Sequence, residues 1–110
     1  MTGKEYLQRI KMIDTQIKNK NYELKQLRAS GLPSGLILDG INELQLGKQA
    51  IIKTMERLKE SEYDVLHMVY VQGKTLYEVA DARKISYSSA TSIHGIALKK
   101  VEEIINEKEN

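Results

Sequence analysis

Apolar residues in the first sixty positions fall on a heptad rhythm. Tyr6, Ile10, Ile13, Ile17, Leu24 and Leu27 recur at spacings of four, three, four, seven and three. This is the a/d pattern of a helix that lays one stripe against a partner, and Lys20 occupies the vacant d position. Ser30-Gly31-Leu32-Pro33-Ser34-Gly35 interrupts it, because proline and two glycines cannot continue a helix. A second stripe resumes at Ile37 or Ile41 and runs through Leu44, Ile51, Met55 and Leu58, with Lys48 in its own vacant position. Two stripes joined by a short loop predict an antiparallel, coiled-coil-like helical hairpin over residues 1–60. Lysines at seam positions imply a partly wet seam, or a choice of register or partner. Leu36, Leu38, Leu46 and Ile52 exceed what a two-helix seam needs. They predict contact with a second copy or with the C-terminal half, and a homodimer formed through residues 1–60 is the preferred assembly. Gly47 lowers helix stability by around 1 kcal/mol against alanine and marks a candidate close approach.

The rhythm changes after residue 60. Ser61 with Asp64 predicts the start of a leading helix whose inward set is Val65, Leu66, Met68, Val69 and Tyr70, ended by Gly73. Thr75 and Glu78 form a capping-box pair that starts the next helix. On it Leu76, Val79 and Ala80 recur at i, i+3, i+4. Ala80 is small where two helices cross at a tight turn. The turn is Lys84-Ile85-Ser86, with Ile85 an apolar plug and Ser86 an N-cap for the last helix. Projected at ~100° per residue, Ala90, Ile93, Ala97, Val101 and Ile104 share one side of that helix, with Leu98 and Ile105 at its edge. The expectation is an all-α protein, its residues 61–110 forming a three-helix helix-turn-helix unit. A plain αα-hairpin without a nucleic-acid role shares many of these features.

Opposite the apolar side lie Ser88, Ser92, Gly95 and Lys99, flanked by Tyr87, Thr91 and Ser89. Small polar groups at the start of a helix suit entry into a major groove, where hydroxyls pair with donor or acceptor base edges and a threonine methyl meets a thymine methyl. Serine and threonine in a first turn suit caps and solvent equally well. The face carries no arginine, so each base contact is weak and discrimination is modest unless the protein dimerises or binds beside another factor.

Charge is unevenly spread. Residues 1–60 carry 11 basic and 7 acidic side chains, a net +4, while 61–110 carry 6 and 8, a net −2. Within Lys74 to Lys100, however, Lys74, Arg83, Lys84, Lys99 and Lys100 face only Glu78 and Asp81, a net +3. The acids gather in the tail at Glu102, Glu103, Glu107 and Glu109. The five bases bracket the last helix as phosphate clamps would, or else simply solvate the surface. Phosphate clamping makes affinity fall steeply with salt.

With these residues in view, the stretch from Tyr63 to Ala80 resembles region four of the bacterial sigma factors. Gly73 ends the leading helix, Glu78-Val79-Ala80 forms the scaffold core, Ile85-Ser86 the turn, and Ala97-Leu98-Lys99-Lys100-Val101 the close of the recognition helix. The whole chain is similar to the short sigma-like regulators of phages and prophages of Gram-positive bacteria, the ArpU-like late-gene regulators. Lys4-Glu5-Tyr6-Leu7 and His94-Gly95 fit that pattern. The resemblance implies a DNA-binding regulator of phage genes that acts at a promoter with RNA polymerase, in the cytoplasm of a bacterial host. Carried across, it implies base-facing positions at Tyr87, Ser88, Thr91 and Ser92 and a phosphate contact at Thr75, which joins Ser89 and the basic positions Lys74, Arg83, Lys84, Lys99 and Lys100 as phosphate candidates. Lys84 departs from the family's frequent glycine, and a left-handed backbone there would cost roughly 1–2 kcal/mol. Val69 and Ile96 stand where basic residues are frequent, which removes phosphate contacts. The linker between the first two helices is short for the family. A small-terminase-like DNA-packaging subunit and a protein-interaction module without DNA binding are the alternative readings.

Catalytic chemistry finds no foothold in the pattern. The chain of 110 residues has no cysteine, and its 41% hydrophobic content can form a core. Thiolate metal sites, disulfides and cysteine nucleophiles are thereby excluded, as suits a reducing cytoplasm. His67 and His94 lack a carboxylate at metal or triad spacing, and the adjacent Glu102 and Glu103 point ~100° apart on a helix. The expectation is no enzyme, no metal and no cofactor. No run approaches the ~18 apolar residues of a membrane span, and the N-terminus lacks signal-peptide character. Tyr70, Tyr77 and Tyr87 offer stacking platforms for unpaired bases, with core or edge packing and a wet hydroxyl the simpler role for the first two.

Overall fold

Helix α1, Gly3–Ala29, begins where the Glu5 amide donates to Thr2 Oγ1 at 3.1 Å and the Thr2 amide reaches the Glu5 carboxylate, a closed capping box. It ends where Gly31 turns left-handed at φ 70 and the Leu32 amide donates to the Leu27 carbonyl at 2.9 Å. Helix α2 follows at Gly35–Met55 and α3 at Glu60–Leu66, which runs on through a π-helical turn, His67–Val71. Helix α4 spans Leu76–Arg83 and α5 Tyr87–Glu109. The structure, a computed structural model, describes residues 1–109 and side chains as far as Glu107, so the expected Glu109 charge lies outside the described side chains. All elements among the described residues are helices. None of these helices is long and apolar enough to cross a membrane.

Helices α1 and α2 run antiparallel. Tyr6 Oη meets Thr54 Oγ1 at 3.1 Å, Lys48 Nζ donates to Asp14 at 2.8 Å, and the Lys20 ammonium lies over Gly40. The seam lysines are therefore accounted for within the chain. Lys48 is neutralised across the seam, and Lys20 extends over the space that glycine leaves. Thr54, almost fully buried, is satisfied twice, by Tyr6 and by the Ala50 carbonyl.

The larger core cluster joins Leu7 and Ile10 of α1, Ile51 and Met55 of α2, Leu66 of α3, and Ala97, Val101 and Ile105 of α5. Residues from both sides of position 60 share it. Of the surplus apolar positions, Ile52 packs against this cluster, whereas Leu36, Leu38 and Leu46 stay exposed, Leu36 at 89%. Leu7 lies off the heptad stripe yet is fully buried, in a cluster that draws on α2, α3 and α5 alike. Close approach of α1 to α5 is permitted by Gly3, where any Cβ would run into the Leu98 carbonyl.

Helix α3 starts earlier than Ser61 and Asp64 predict. The Lys59 amide donates to Glu62 Oε1 at 3.2 Å, so the helix begins at Glu60, and Asp64 is drawn instead to Arg83 of α4 at 2.8 Å. The π-helical turn closes with the Gln72 amide on the His67 carbonyl, and Gly73 ends it at φ 74. A smaller cluster of Val65, Val79, Ala80 and Ala90, flanked by Met68, Val69, Ile85 and Ile93, then holds α4 and α5 against α3.

Candidate nucleic-acid interface

Thr75 and Glu78 set the start of α4. The Glu78 amide donates to Thr75 Oγ1 at 3.2 Å, and the Thr75 amide donates to the Glu78 carboxylate at 3.1 Å. That backbone bond, followed by the one from the Thr75 side chain, holds the Glu78 carboxyl below its ordinary range. Val79 and Ala80 turn inward. At the end of the helix Lys84 adopts φ 56 and ψ 44, the left-handed conformation that its departure from glycine makes costly. This reversal lets the Ile85 amide donate to the Ala80 carbonyl at 3.0 Å and drops Ile85 into the smaller cluster as the plug.

Ser86 then caps α5, its Oγ accepting from the Ser89 amide at 3.0 Å. The Ser86 hydroxyl donates to Ser89 Oγ at 2.9 Å, which leaves the Ser89 proton free to point outward. Ala90, Ala97, Val101 and Ile105 are buried, while Ile93, Leu98 and Ile104 are half-buried. Ile105 thus takes the central place predicted for Ile104, because the helix is viewed from α1 as well as from α3.

The opposite side is open. Ser88, Ser92, Gly95 and Lys99 are exposed, as are Tyr87, Ser89 and Thr91, and a Cβ at Gly95 would meet nothing. Ser88 and Ser92 make no side-chain hydrogen bond among the described residues. Thr91 differs, since its hydroxyl donates to the Tyr87 carbonyl at 2.9 Å, which leaves the methyl as the side-chain group without a bond to the chain. All four base-facing candidates therefore lie on one continuous exposed surface at the start of α5.

The phosphate candidates divide. Lys84 and Lys99 are exposed and Lys74 half-buried, all without a carboxylate partner within ion-pair distance among the described residues. Arg83 is held by Asp64 at 2.8 Å and Lys100 by Glu62 at 2.8 Å, so both charges are compensated inside the chain. The two ion pairs tie α4 and α5 to α3.

The tyrosines separate as well. Tyr70 is half-buried, its hydroxyl 3.0 Å from His94 Nε2 and the two rings stacked. Burial raises the Tyr70 hydroxyl's pKa and lowers that of the His94 ring, the latter helped by the nearby Lys4 charge. His94 is thus a structural partner of Tyr70. Tyr77 is no edge-packed residue: it is 69% exposed and stacks on Tyr87 with ring centroids 4.2 Å apart and planes 14° from parallel. Projection of α4 carries the missed signal, since Tyr77 stands ~100° from Leu76 and off the Val79/Ala80 stripe. Among the described residues no group of three or more His, Asp or Glu stands close enough to hold a metal ion.

No protein-family model, curated protein or solved structure matches this chain.

Proposed function

We propose that the chain is a sequence-specific duplex-DNA-binding transcriptional regulator of phage or prophage genes that acts at a promoter with RNA polymerase. In this reading α4, its turn and α5 form a helix-turn-helix of the sigma region-four kind, and α1 with α2 form a helical hairpin that associates copies. The observation that carries it is the open hydroxyl face: Ser88, Ser92, Gly95 and Lys99 are exposed on a helix whose other side is taken up by core, and α1 and α2 leave them uncovered.

The start of α5 enters the major groove, where Ser88 and Ser92 hydroxyls pair with base edges and the Thr91 methyl makes apolar contact. Thr75, Ser89, Lys74, Lys84 and Lys99 hold phosphates and fix the register. No bond is made or broken by the chain. Hydroxyl contacts discriminate weakly one by one, so pairing of two copies, each bringing one such face, supplies the missing selectivity. The leucines left exposed on α2 are suited to that pairing.

Selection of bound sequences from a random duplex pool, at stated salt, tests this directly. Enrichment of a common sequence, lost in Ser92→Glu with helicity unchanged, supports it. No enrichment, or undiminished binding by Ser92→Glu, removes α5 from the interface and overturns it. Solution mass adds a second check, since a dimer fits promoter control whereas a closed ring of many copies would point to DNA packaging.

A further inference from the structure

The recognition face has one feature that a hydroxyl-reading helix does not need. Tyr77 and Tyr87 come from the starts of two different helices and stack in parallel at 4.2 Å, yet both remain open to solvent, at 69% and 44%. Tyr77 belongs to neither core cluster and its hydroxyl makes no hydrogen bond among the described residues. The stack gives each ring a neighbour without burying either. One turn along α5 the exposed Thr91 follows Tyr87, its hydroxyl proton donated to the Tyr87 carbonyl and its methyl free of hydrogen bonding. Tyr77, Tyr87 and the Thr91 methyl thus make an apolar strip beside the Ser88/Ser92 hydroxyls.

Building on the DNA-binding function proposed above, we infer that this strip reads thymine by its C5-methyl, with Tyr77 as a specificity-determining residue contributed by α4. The major-groove edge of a base pair carries donors and acceptors, which the hydroxyls serve, and one apolar group, the thymine methyl. No arginine, asparagine or glutamine on this face can fork to a purine, so an apolar contact is the means of base choice that the strip supplies. Preformed stacking matters, because a ring already held by its neighbour loses little side-chain freedom on contact.

The test compares duplexes selected by the wild-type chain with the same sequences amplified with dUTP in place of dTTP, which deletes the methyls and leaves every hydrogen-bonding group. Wild type should bind the thymine form more tightly by roughly fourfold per methyl contacted. Tyr77→Ala should bind both forms alike, and Tyr77→Phe should keep the preference, since the ring and not the hydroxyl is at work. Equal binding of both forms by wild type overturns the inference and leaves DNA binding standing. So does a preference that survives in Tyr77→Ala, and so does a loss of affinity in Tyr77→Phe without a thymine preference, which would make the hydroxyl a phosphate donor. Failure to bind any duplex overturns the DNA-binding function as well.

Discussion

Lys100 Nζ donates to Glu62 Oε2 at 2.8 Å, tying the middle of α5 to the first turn of α3. The Glu62 side chain is only 8% exposed, and burial alone would raise its pKa. The hydrogen bonds from Lys100 and from the Lys59 amide outweigh that effect and hold the carboxyl below the ordinary 4.5. A carboxyl lowered in the fold contributes stability that is present above its unfolded value and is lost as pH falls through the folded one. Removing the cation leaves a nearly buried carboxylate short of a partner, so Lys100→Ala should lower unfolding free energy by about 1–2 kcal/mol in urea titration at neutral pH. Glu62→Gln should flatten the loss of stability below pH 4.5. A Lys100→Ala chain as stable as wild type would show that the pair braces nothing.

Under the DNA-binding function proposed above, the salt dependence of binding separates the lysines without an ion-pair partner among the described residues from the bases that have one. Each phosphate neutralised adds about 0.9 to the slope of log affinity against log salt. Lys99→Ala should reduce that slope by about one contact, whereas Arg83→Ala and Lys100→Ala should leave it unchanged once the folded fraction is matched. An unaltered slope in Lys99→Ala would favour a protein-interaction role for the same fold.

Lys84 sits at φ 56 with its side chain exposed. Glycine adopts that backbone without the clash between Cβ and carbonyl that an L-residue meets. Lys84→Gly should therefore raise stability by about 1 kcal/mol and at the same time weaken duplex binding and its salt dependence. Opposite signs in the two measurements would mean that strain is retained at the turn for the sake of a charge near DNA. A fall in both would show that the lysine stem contributes packing instead.

The caps, breakers and turn were legible because they are local: Thr75 with Glu78, Gly31, Ile85 and Ser86 act over a few residues, and the structure places each in the role its type suggests. Thr2 with Glu5 obeys the same capping rule and could have been found by it. What spacing could not show is pairing across the fold. Asp64 suits a helix start as well as an ion pair, and only the packing of α4 on α3 brings Arg83 to it. Leu7 falls outside a stripe drawn for one partner because α1 has two. Tyr77's exposure follows from its place off the Val79/Ala80 stripe, but its stacking on Tyr87 does not, because spacing within α4 says nothing of where a ring of α5 is placed.

Gly3 and Leu98 test how strongly the two halves of the chain depend on one another. A side chain at position 3 would strike the Leu98 carbonyl, which is backbone and cannot rotate away. Gly3→Ala adds helix propensity and would stabilise an isolated helix. Here the clash should dominate, forcing α1 from α5 at a cost of about 1–3 kcal/mol, read from thermal unfolding. Because the shared cluster includes Leu7, Ala97 and Val101, the loss should appear as one lowered transition for the whole chain. Two separate transitions would instead mark residues 1–60 and 61–110 as independent folding units.

His94 predicts a second pH window, distinct from that of Glu62. Its ring stacks on Tyr70 and lies 3.0 Å from the Tyr70 hydroxyl, and burial first, then the Lys4 charge, lowers its pKa from the ordinary 6.5. The fold therefore favours the neutral ring, while the unfolded chain takes up a proton as pH drops below 6.5. Stability should fall with acidification through that window, and His94→Gln, which keeps a polar partner for Tyr70 but does not titrate, should remove the decline. Urea midpoints measured from pH 8 to pH 5 on both chains check this. If the wild-type midpoint rose on acidification, the protonated ring would be the better partner, and Lys4 could not be near enough to oppose it.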